Sequence, residues 1–167
     1  GKALGRSSID VAQGMAEFGR QYKNIEDIKR MTEASIIGAN VMDGMSSGDV
    51  AKGLTTILNS MKIEATEVMT VIDSMNEIQN KYRISATDMT NALAKVGSVA
   101  NTSGVDLQEL EGYITAITVA TGKAGDEVGT AIRAIMARTY KDYSVTALEK
   151  VGVAVRDAKG EFRDFPD

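Results

Sequence analysis

The chain contains no cysteine, no histidine and no tryptophan among its 167 residues. Without Cys and His it has no thiolate nucleophile, no disulfide, no zinc site of the Cys/His kind and no imidazole to serve as a general base near neutral pH. The lack of Trp leaves little aromatic surface for stacking on a sugar. We therefore expect no catalytic residue, no metal ligand and no bound cofactor.

Proline is also scarce, and basic residues do not outnumber acidic ones. The single proline is Pro166, whereas glycine occurs 16 times, so helices can run freely but are broken often. The net charge is −4 and the basic residues are dispersed, which argues against a nucleic-acid-binding face. No apolar run approaches the roughly 20 residues that span a bilayer, and no signal-peptide pattern is present. Because the chain starts at Gly1 rather than Met, we expect it to be a fragment of a longer protein.

Apolar residues at spacings of three and four predict an all-α fold of about seven or eight helices packed as antiparallel hairpins. With 43% apolar residues, the chain can form one domain with a proper core. Residues 1–45 are expected to form a helix pair. Its first helix begins at Ser7 or Ser8 and carries Ile9, Ala12, Met15 and Ala16 along one side; its second is capped by Asn24 and carries Ile25, Ile28, Met31 and Ile36.

Residues 46–151 are expected to form a helical core. Helix starts are predicted near Asp49, Glu64, Ser85, Asp106 and Gly125, where capping residues precede apolar stripes. The stripes contain Val50, Leu54, Ile57 and Met61; Val68, Val71, Ile72, Met75 and Ile78; Met89, Leu93, Val96 and Ala100; Leu107, Leu110, Tyr113, Ile114 and Ile117; and Val128, Ile132, Ile135 and Met136.

In the last part of the chain, the spacing of apolar residues changes from the helical pattern to an alternating one. A short helix is predicted over Val145–Val151 with Ser144 as its N-cap, ending at Gly152. Beyond it, alternating valines, a turn at residues 157–160 and two phenylalanines predict a small β-hairpin over residues 152–167.

A weak internal repeat is visible among these helices. The pattern of an acidic residue, a large apolar residue and a small–large pair occurs from Asp49 to Ile57, from Asp88 to Val96 and from Glu127 to Ile135. A small residue beside a large one lets a neighbouring helix approach closely, so helical hairpins of this kind can stack as similar units. The alternative is that any capped amphipathic helix carries such a pattern.

An ordered series of motifs in the C-terminal third resembles a known family. It consists of Gly129, Thr130, Ile132 and Arg133, then Ala147, Leu148, Gly152, Val153, Val155, Asp157, Gly160, Phe162 and Arg163. This order of motifs is similar to that in the core region of phage tail tape measure proteins, also called phage-related minor tail proteins. Similar motifs occur upstream at Ala92–Val96 and Gly104–Leu110. The resemblance covers about half the chain. No single motif is specific for the family, but the order in which the motifs follow one another is.

The resemblance implies a structural protein and no enzyme. Such a protein occupies the lumen of the virion tail, sets tail length, scaffolds assembly and takes part in genome ejection. The implied partners are the tail tube protein, tail assembly chaperones, tail-tip or distal tail proteins and other copies of itself; the implied location is the tail, preceded by the host cytoplasm during assembly. Two alternatives remain open, an accessory domain of a cell-wall hydrolase and a helical adaptor unrelated to phage.

Two glycine-containing loops have features in common with ligand sites. Residues 121–125 contain glycines and Lys123, as phosphate-binding loops do, but no Ser or Thr follows the lysine and a helix precedes the loop where a strand is required. Residues 157–160 resemble the start of a calcium loop, but Lys159 stands where an oxygen ligand is needed. We interpret the first as an interhelical loop and the second as a hairpin turn.

Charged and soft side chains also have structural interpretations. The carboxylates at Glu26, Asp27, Glu109 and Glu111 are adjacent or two apart, so we expect them on solvated helix faces rather than paired for acid–base work. The nine methionines are expected mainly in the core, although an adaptable partner surface is the alternative. The basic residues near the end of the seventh helix suit the helix dipole better than DNA contact: Arg133, Arg138 and Lys141.

The implied function favours an extended chain, whereas the predicted fold is compact. As one continuous helix the chain would reach roughly 250 Å, whereas a compact domain of this size has a radius of gyration of about 15 Å. Frequent glycines favour the compact form. We therefore hypothesise a single folded module near one end of the parent protein, or a state that precedes tail assembly, with the length-setting rod elsewhere.

Overall fold

A computed structural model describes residues 8–165, and this range contains eight α-helices. In chain order they are α1 (Ser8–Gly19), α2 (Ile25–Val41), α3 (Ser47–Met61), α4 (Val68–Tyr82), α5 (Ala86–Thr102), α6 (Leu107–Thr121), α7 (Gly125–Thr139) and α8 (Asp142–Lys150). A 3-10 turn at Ala65–Glu67 leads into α4. The all-α prediction is confirmed.

Local capping explains why most helices begin where the sequence predicts. The side chain of Asn24 accepts a hydrogen bond from the backbone of Glu26 at the start of α2. Ser46 and Asp106 form capping boxes with the residues three positions later, and Ser85 caps α5. Each cap satisfies an N–H group that the first helical turn leaves free, so these boundaries follow from the sequence alone.

The odd-numbered helices form one continuous stack in which each packs against the next. The N-terminal half of α3 contacts that of α5, where Gly53 lies against Thr90, and the C-terminal halves meet at Gly97 and Ser60. The two helices are therefore parallel, and α4 must return the chain between them. This is the stacked-hairpin arrangement that the weak repeat suggested.

The repeat has a period of 39 residues and extends one unit further than the sequence pattern suggested. Asp49, Asp88 and Glu127 are each 39 positions apart, and the same step backwards leads to Asp10 in α1. The small residue of the pattern recurs with them as Gly14, Gly53, Ala92 and Ala131, and the large residue after it as Phe18, Ile57, Val96 and Ile135. The packing repeats less far than the sequence pattern, because Gly53 lies against α5 whereas Gly14 lies against Thr32 and Ser35 of α2.

The closest approach in the stack is between α5 and α7. A Cβ atom on Gly129 would lie 2.6 Å from the carbonyl oxygen and 2.8 Å from the Cα of Ala92, and one on Gly125 would collide with the backbone of Asp88. Two glycines one helical turn apart thus let the backbones of α5 and α7 touch. Glycine is required at both positions because the obstacle is main chain and cannot rotate away.

The even-numbered helices pack on the stack and close the core. The fully buried side chains from both layers form one cluster, which includes Phe18, Met31, Ile57, Leu58, Ile72, Met89, Leu93, Leu110, Ile114 and Met136. Most methionines lie in or against this cluster, as expected, but Met15 does not. The even-numbered layer is looser than the stack, and a groove separates α4 from α6.

Three details of the predicted helices are wrong. In α1, Ile9, Ala12 and Met15 are exposed, and Phe18 is the buried anchor, because no other helix of residues 8–165 packs on that side of α1. Ile135 of α7 is exposed for the same reason. The last helix starts at Asp142 rather than after Ser144, and its N-cap position, Lys141, makes no side-chain cap.

The predicted C-terminal β-hairpin is also wrong, since the described residues contain no strand. A turn is present, closed by one antiparallel bridge between Arg156 and Phe162. Pairing stops there because the backbone N–H of Phe165 donates to the carbonyl oxygen of Ser103 at 2.7 Å, which diverts the chain onto the α5–α6 turn. The paired segments are therefore too short to form a ladder.

Candidate functional site

The largest concave feature of the described residues is the groove between α4 and α6. Its volume is about 580 Å³. It exists because the even-numbered helices contact one another less closely than the odd-numbered ones. Side chains from both helices line it, among them Ser74, Ile78 and Tyr82 from α4 and Glu111, Thr115 and Val119 from α6.

Glu111 is the one buried carboxyl group of the described chain. Its residue is only 3% exposed, and the hydroxyl of Ser74 donates to its Oε1 at 3.0 Å. Burial raises the pKa of Glu111 to about 7, the Ser74 hydrogen bond opposes this, and the charge of Asp106 adds to the increase. The group can therefore take up or release a proton near neutral pH, and it can accept a hydrogen bond from a molecule in the groove.

The sequence predicts that Glu111 lies on a solvated helix face, and that prediction is wrong. Ile72 lies 39 residues earlier, at the equivalent repeat position, and is fully buried. The fold thus puts Glu111 where the preceding hairpin has a core residue. The repeat gives no clear signal for this burial, because the equivalent residue of α2, Glu33, is an exposed carboxylate. Glu109, by contrast, closes the capping box of α6, where its backbone N–H donates to Asp106 at 2.9 Å.

The polar groups of the loop at residues 121–125 bind other groups of the protein. Gly122 takes a left-handed conformation, with φ 66°, that ends α6. The ammonium group of Lys123 lies 2.7 Å from the carboxylate of Glu127, and this hydrogen bond raises the pKa of Lys123. The backbone N–H of Gly125 donates to Asp88 at 2.9 Å. Both groups that a phosphate would need therefore already have protein partners.

The turn at residues 157–160 is held by its own aspartate. Oδ1 of Asp157 accepts from the backbone N–H groups of Lys159 and Glu161 at 2.8 and 2.9 Å, and Gly160 adopts φ 86°. The Arg156 guanidinium stacks on the Phe162 ring, with its carbon 4.0 Å from the ring centroid. These contacts make the segment a closed turn on the surface.

The remaining candidates lie apart from the groove. Glu26 pairs with Lys29 at 2.9 Å, a hydrogen bond that lowers the pKa of Glu26, and Asp27 pairs with Arg30 at 3.5 Å. Arg133, Arg138 and Lys141 are exposed. Within residues 8–165, the acidic side chains form no cluster that could hold a metal ion. None of the helices in that range is long and apolar enough to cross a membrane.

The described residues thus form an all-α array in which the odd-numbered helices pack side by side. The chain belongs to the phage-related minor tail protein family, whose profile matches residues 1–167. This confirms the resemblance seen in the C-terminal motifs and extends it over the whole chain.

Two relatives are tape measure proteins by name. The chain is 28% identical over 162 residues to the tape measure protein of Pneumococcus phage Dp-1, which covers 92% of this chain and 13% of the relative. It is 25% identical over 108 residues to the probable tape measure protein of Halomonas phage phiHAP-1, covering 64% of this chain and 12% of that relative. The chain thus spans a small part of each relative's length. No solved structure gives a significant match.

Proposed function

We propose that this chain is a folded segment of a phage tail tape measure protein. The family membership and the two relatives with that name support the proposal. The parent protein would set tail length, scaffold tail assembly and take part in genome ejection. It would act in the tail lumen and, before that, in the host cytoplasm. Its partners would be the tail tube protein, the assembly chaperones and the tail-tip proteins.

Within that protein, the segment acts as a folded assembly or delivery module and not as part of the ruler. The observation that carries this proposal is the length of its helices. The longest, α2 and α5, have 17 residues each, or about 25 Å, and they pack on one shared core. A ruler of the same residues would be a single helix of roughly 250 Å.

The segment has no enzymatic activity in this proposal. Membership of the phage-related minor tail protein family supports a structural role. The competing function, a cell-wall hydrolase accessory domain, predicts release of sugar or peptide from purified peptidoglycan. We expect none.

The experiment that tests the module proposal is an in-frame deletion of the codons for residues 1–167 in the phage, with tail length measured by electron microscopy. The proposal predicts tails of unchanged length with defective tips or failed infection, or no tails at all. Tails shortened by roughly 250 Å would show instead that the segment is part of the extended ruler.

A substitution supplies the matched control, because it removes the fold without shortening the chain. Leu93→Asp places a charge at a fully buried position and should unfold the module. The module proposal predicts that this variant reproduces the deletion phenotype. Normal tails and normal infection from a variant shown to be unfolded in isolation would contradict it.

A further inference from the structure

The groove between α4 and α6 extends beyond the part that surrounds Glu111. A second cleft continues it toward the starts of both helices and shares Ser74 and Gln108 with it, and a third continues it toward their ends and shares Tyr82 and Val119. The groove therefore follows the full length of α4, whose 15 residues span about 22 Å. A groove of this length between two helices can receive a further helix of about four turns.

The walls of the groove are largely apolar. Ile78 and Tyr82 line it on α4, and Ala116, Val119 and Ala120 line it on α6. Two of these side chains remain in contact with water, since Tyr82 is 45% exposed and Val119 is 60% exposed. The groove thus retains apolar surface that the apolar side chains of a partner can cover.

Glu111 lies at the floor of the groove with one oxygen unpaired. The Ser74 hydroxyl donates to Oε1, and within residues 8–165 Oε2 accepts no hydrogen bond. Folding has already removed this carboxyl group from water, since only 3% of the residue is exposed. A cation that enters the groove would lose its own hydration but would cause no further desolvation of the carboxyl group, which favours pairing.

No basic side chain of the described residues pairs with Glu111. Burial and the charge of Asp106 raise the pKa of Glu111, and no nearby cation opposes them. Glu77 adds a second acidic group to the same part of the groove. Lys81 is the one basic residue that lines this part, and its ammonium group lies 5.6 Å from the ring centroid of Tyr82. The groove is therefore both apolar and acidic, and it is complementary to a basic side chain on an apolar surface.

We propose that the groove between α4 and α6 binds an amphipathic helix of a partner protein, and that one lysine on the apolar face of that helix pairs with Glu111. Apolar residues further along the same face cover Ile78 and Val119. This binding surface goes beyond the proposed function and does not depend on it.

The probe is a helical peptide of about 18 residues, long enough to fill the groove, with leucines on one face, a single lysine among them and glutamines elsewhere. A matched peptide replaces the lysine by norleucine, which keeps the aliphatic chain and removes the ammonium group. Isothermal titration calorimetry with the purified chain at pH 8 measures both affinities. We expect the lysine peptide to bind about tenfold more tightly than the norleucine peptide, or better.

Three substitutions locate the binding site. Glu111→Gln keeps the size of the side chain and removes its charge, so the two peptides should then bind with the same affinity. Val119→Arg places a bulky cation in the groove and should weaken binding of both peptides. Ile135→Arg is the control, because Ile135 is also largely exposed but lies on α7 outside the groove, and it should weaken neither.

The pH dependence separates charge pairing from a change in shape. Lysine remains charged between pH 6 and pH 8, whereas Glu111, with a pKa of about 7, is mostly protonated at pH 6. The affinity of the lysine peptide should therefore fall from pH 8 to pH 6, and that of the norleucine peptide should not. Circular dichroism of each variant checks that the helices are intact. No binding of either peptide, equal affinities of the two peptides for the unaltered chain, or an advantage of lysine that survives Glu111→Gln would each overturn the proposal.

Discussion

The backbone N–H of Gly125 donates a 2.9 Å hydrogen bond to Oδ1 of Asp88, so a side chain in the first turn of α5 caps the first turn of α7. Ala124, at the N-cap position of α7, has no side chain that can do so. The cap of one repeat therefore comes from the repeat before it. It fixes α7 along the axis of α5 at the point where the two backbones are closest.

Removing this cap should weaken the module more than removing a purely local one. Asp88→Ala loses the bond to Gly125 as well as the 2.6 Å bond from the Ser85 hydroxyl, and it leaves a partly buried N–H without a partner. We expect the free energy of unfolding to fall by about 1–3 kcal/mol. Urea denaturation of the isolated chain measures the change.

Asp49→Ala is the matched comparison, because Asp49 makes the same contact with Ser46 that Asp88 makes with Ser85. The N–H that it leaves free, on Ser46, is exposed and can bind water. Its cost should be the smaller of the two. Equal losses of unfolding free energy for Asp49→Ala and Asp88→Ala would mean that the hydrogen bond between Gly125 and Asp88 adds nothing to stability.

A methyl group on Gly129 should destabilise the stack although alanine is the better helix former. The added Cβ would lie 2.6 Å from the carbonyl oxygen of Ala92. Because that oxygen belongs to the main chain, the clash can be relieved only if α5 and α7 move apart. We expect Gly129→Ala to lower the free energy of unfolding by about 1–3 kcal/mol. Chemical denaturation provides the measurement.

Gly112→Ala on α6 is the control, and it should stabilise the chain where Gly129→Ala destabilises it. Gly112 is exposed and helical, with no atom within 4 Å of an added Cβ. This substitution should stabilise the chain by about 0.4–1 kcal/mol, mainly by restricting the unfolded state. If Gly129→Ala also stabilised the chain, the close packing of α5 on α7 would be refuted.

Stability should decrease as pH rises through the range in which Glu111 titrates. Its pKa is raised from 4.5 to about 7 in the folded chain, so between these values the folded state holds a proton that the unfolded state has lost. The unfolding free energy must then fall with increasing pH, by at most about 1.4 kcal/mol per pH unit from this group. Below pH 4.5 both states are protonated, and above about 7 both are charged, so its contribution becomes constant.

Glu111→Gln should remove this slope and leave the chain more stable at pH 8. Glu77→Gln is the control, because Glu77 lines the same groove but is exposed. It should leave the slope in place. Urea denaturation at pH 5, 6, 7 and 8 distinguishes the variants, and an unchanged slope in Glu111→Gln would show that another group is responsible.

Helix boundaries could be predicted because their causes are local. Asn24, Ser46, Ser85 and Asp106 each bind the backbone within three residues, so a short window of sequence contains both partners. The N-terminus of α7 is different. Its cap, Asp88, lies 37 residues away, and only the fold brings the two together.

Buried faces were harder to predict, because periodicity identifies an apolar stripe without showing what covers it. Ile135 and Val96 occupy the same repeat position, and only Val96 has a following helix against it. Glu111 could not be predicted as buried because a glutamate is usually solvated, as the equivalent Glu33 is. The hairpin over residues 152–167 failed because the contact of Phe165 with Ser103 competes with strand pairing and cannot be read from turn residues.

The most direct test of the central claim, that the segment remains a folded helical stack in the assembled tail, is a cross-link between α3 and α5. A Cβ at position 53 lies 3.8 Å from the Cβ of Thr90, which is the separation typical of a disulfide. These 167 residues contain no cysteine, so Gly53→Cys with Thr90→Cys introduces a single possible pair within the segment. In one continuous helix these positions would be roughly 55 Å apart.

The measurement is the fraction of disulfide-linked peptide recovered by mass spectrometry from purified virions, compared with the isolated variant chain under the same oxidation. A folded module predicts similar fractions in both samples. Cross-linking in the isolated chain but not in virions would contradict the account, because it would show that the stack opens when the tail assembles.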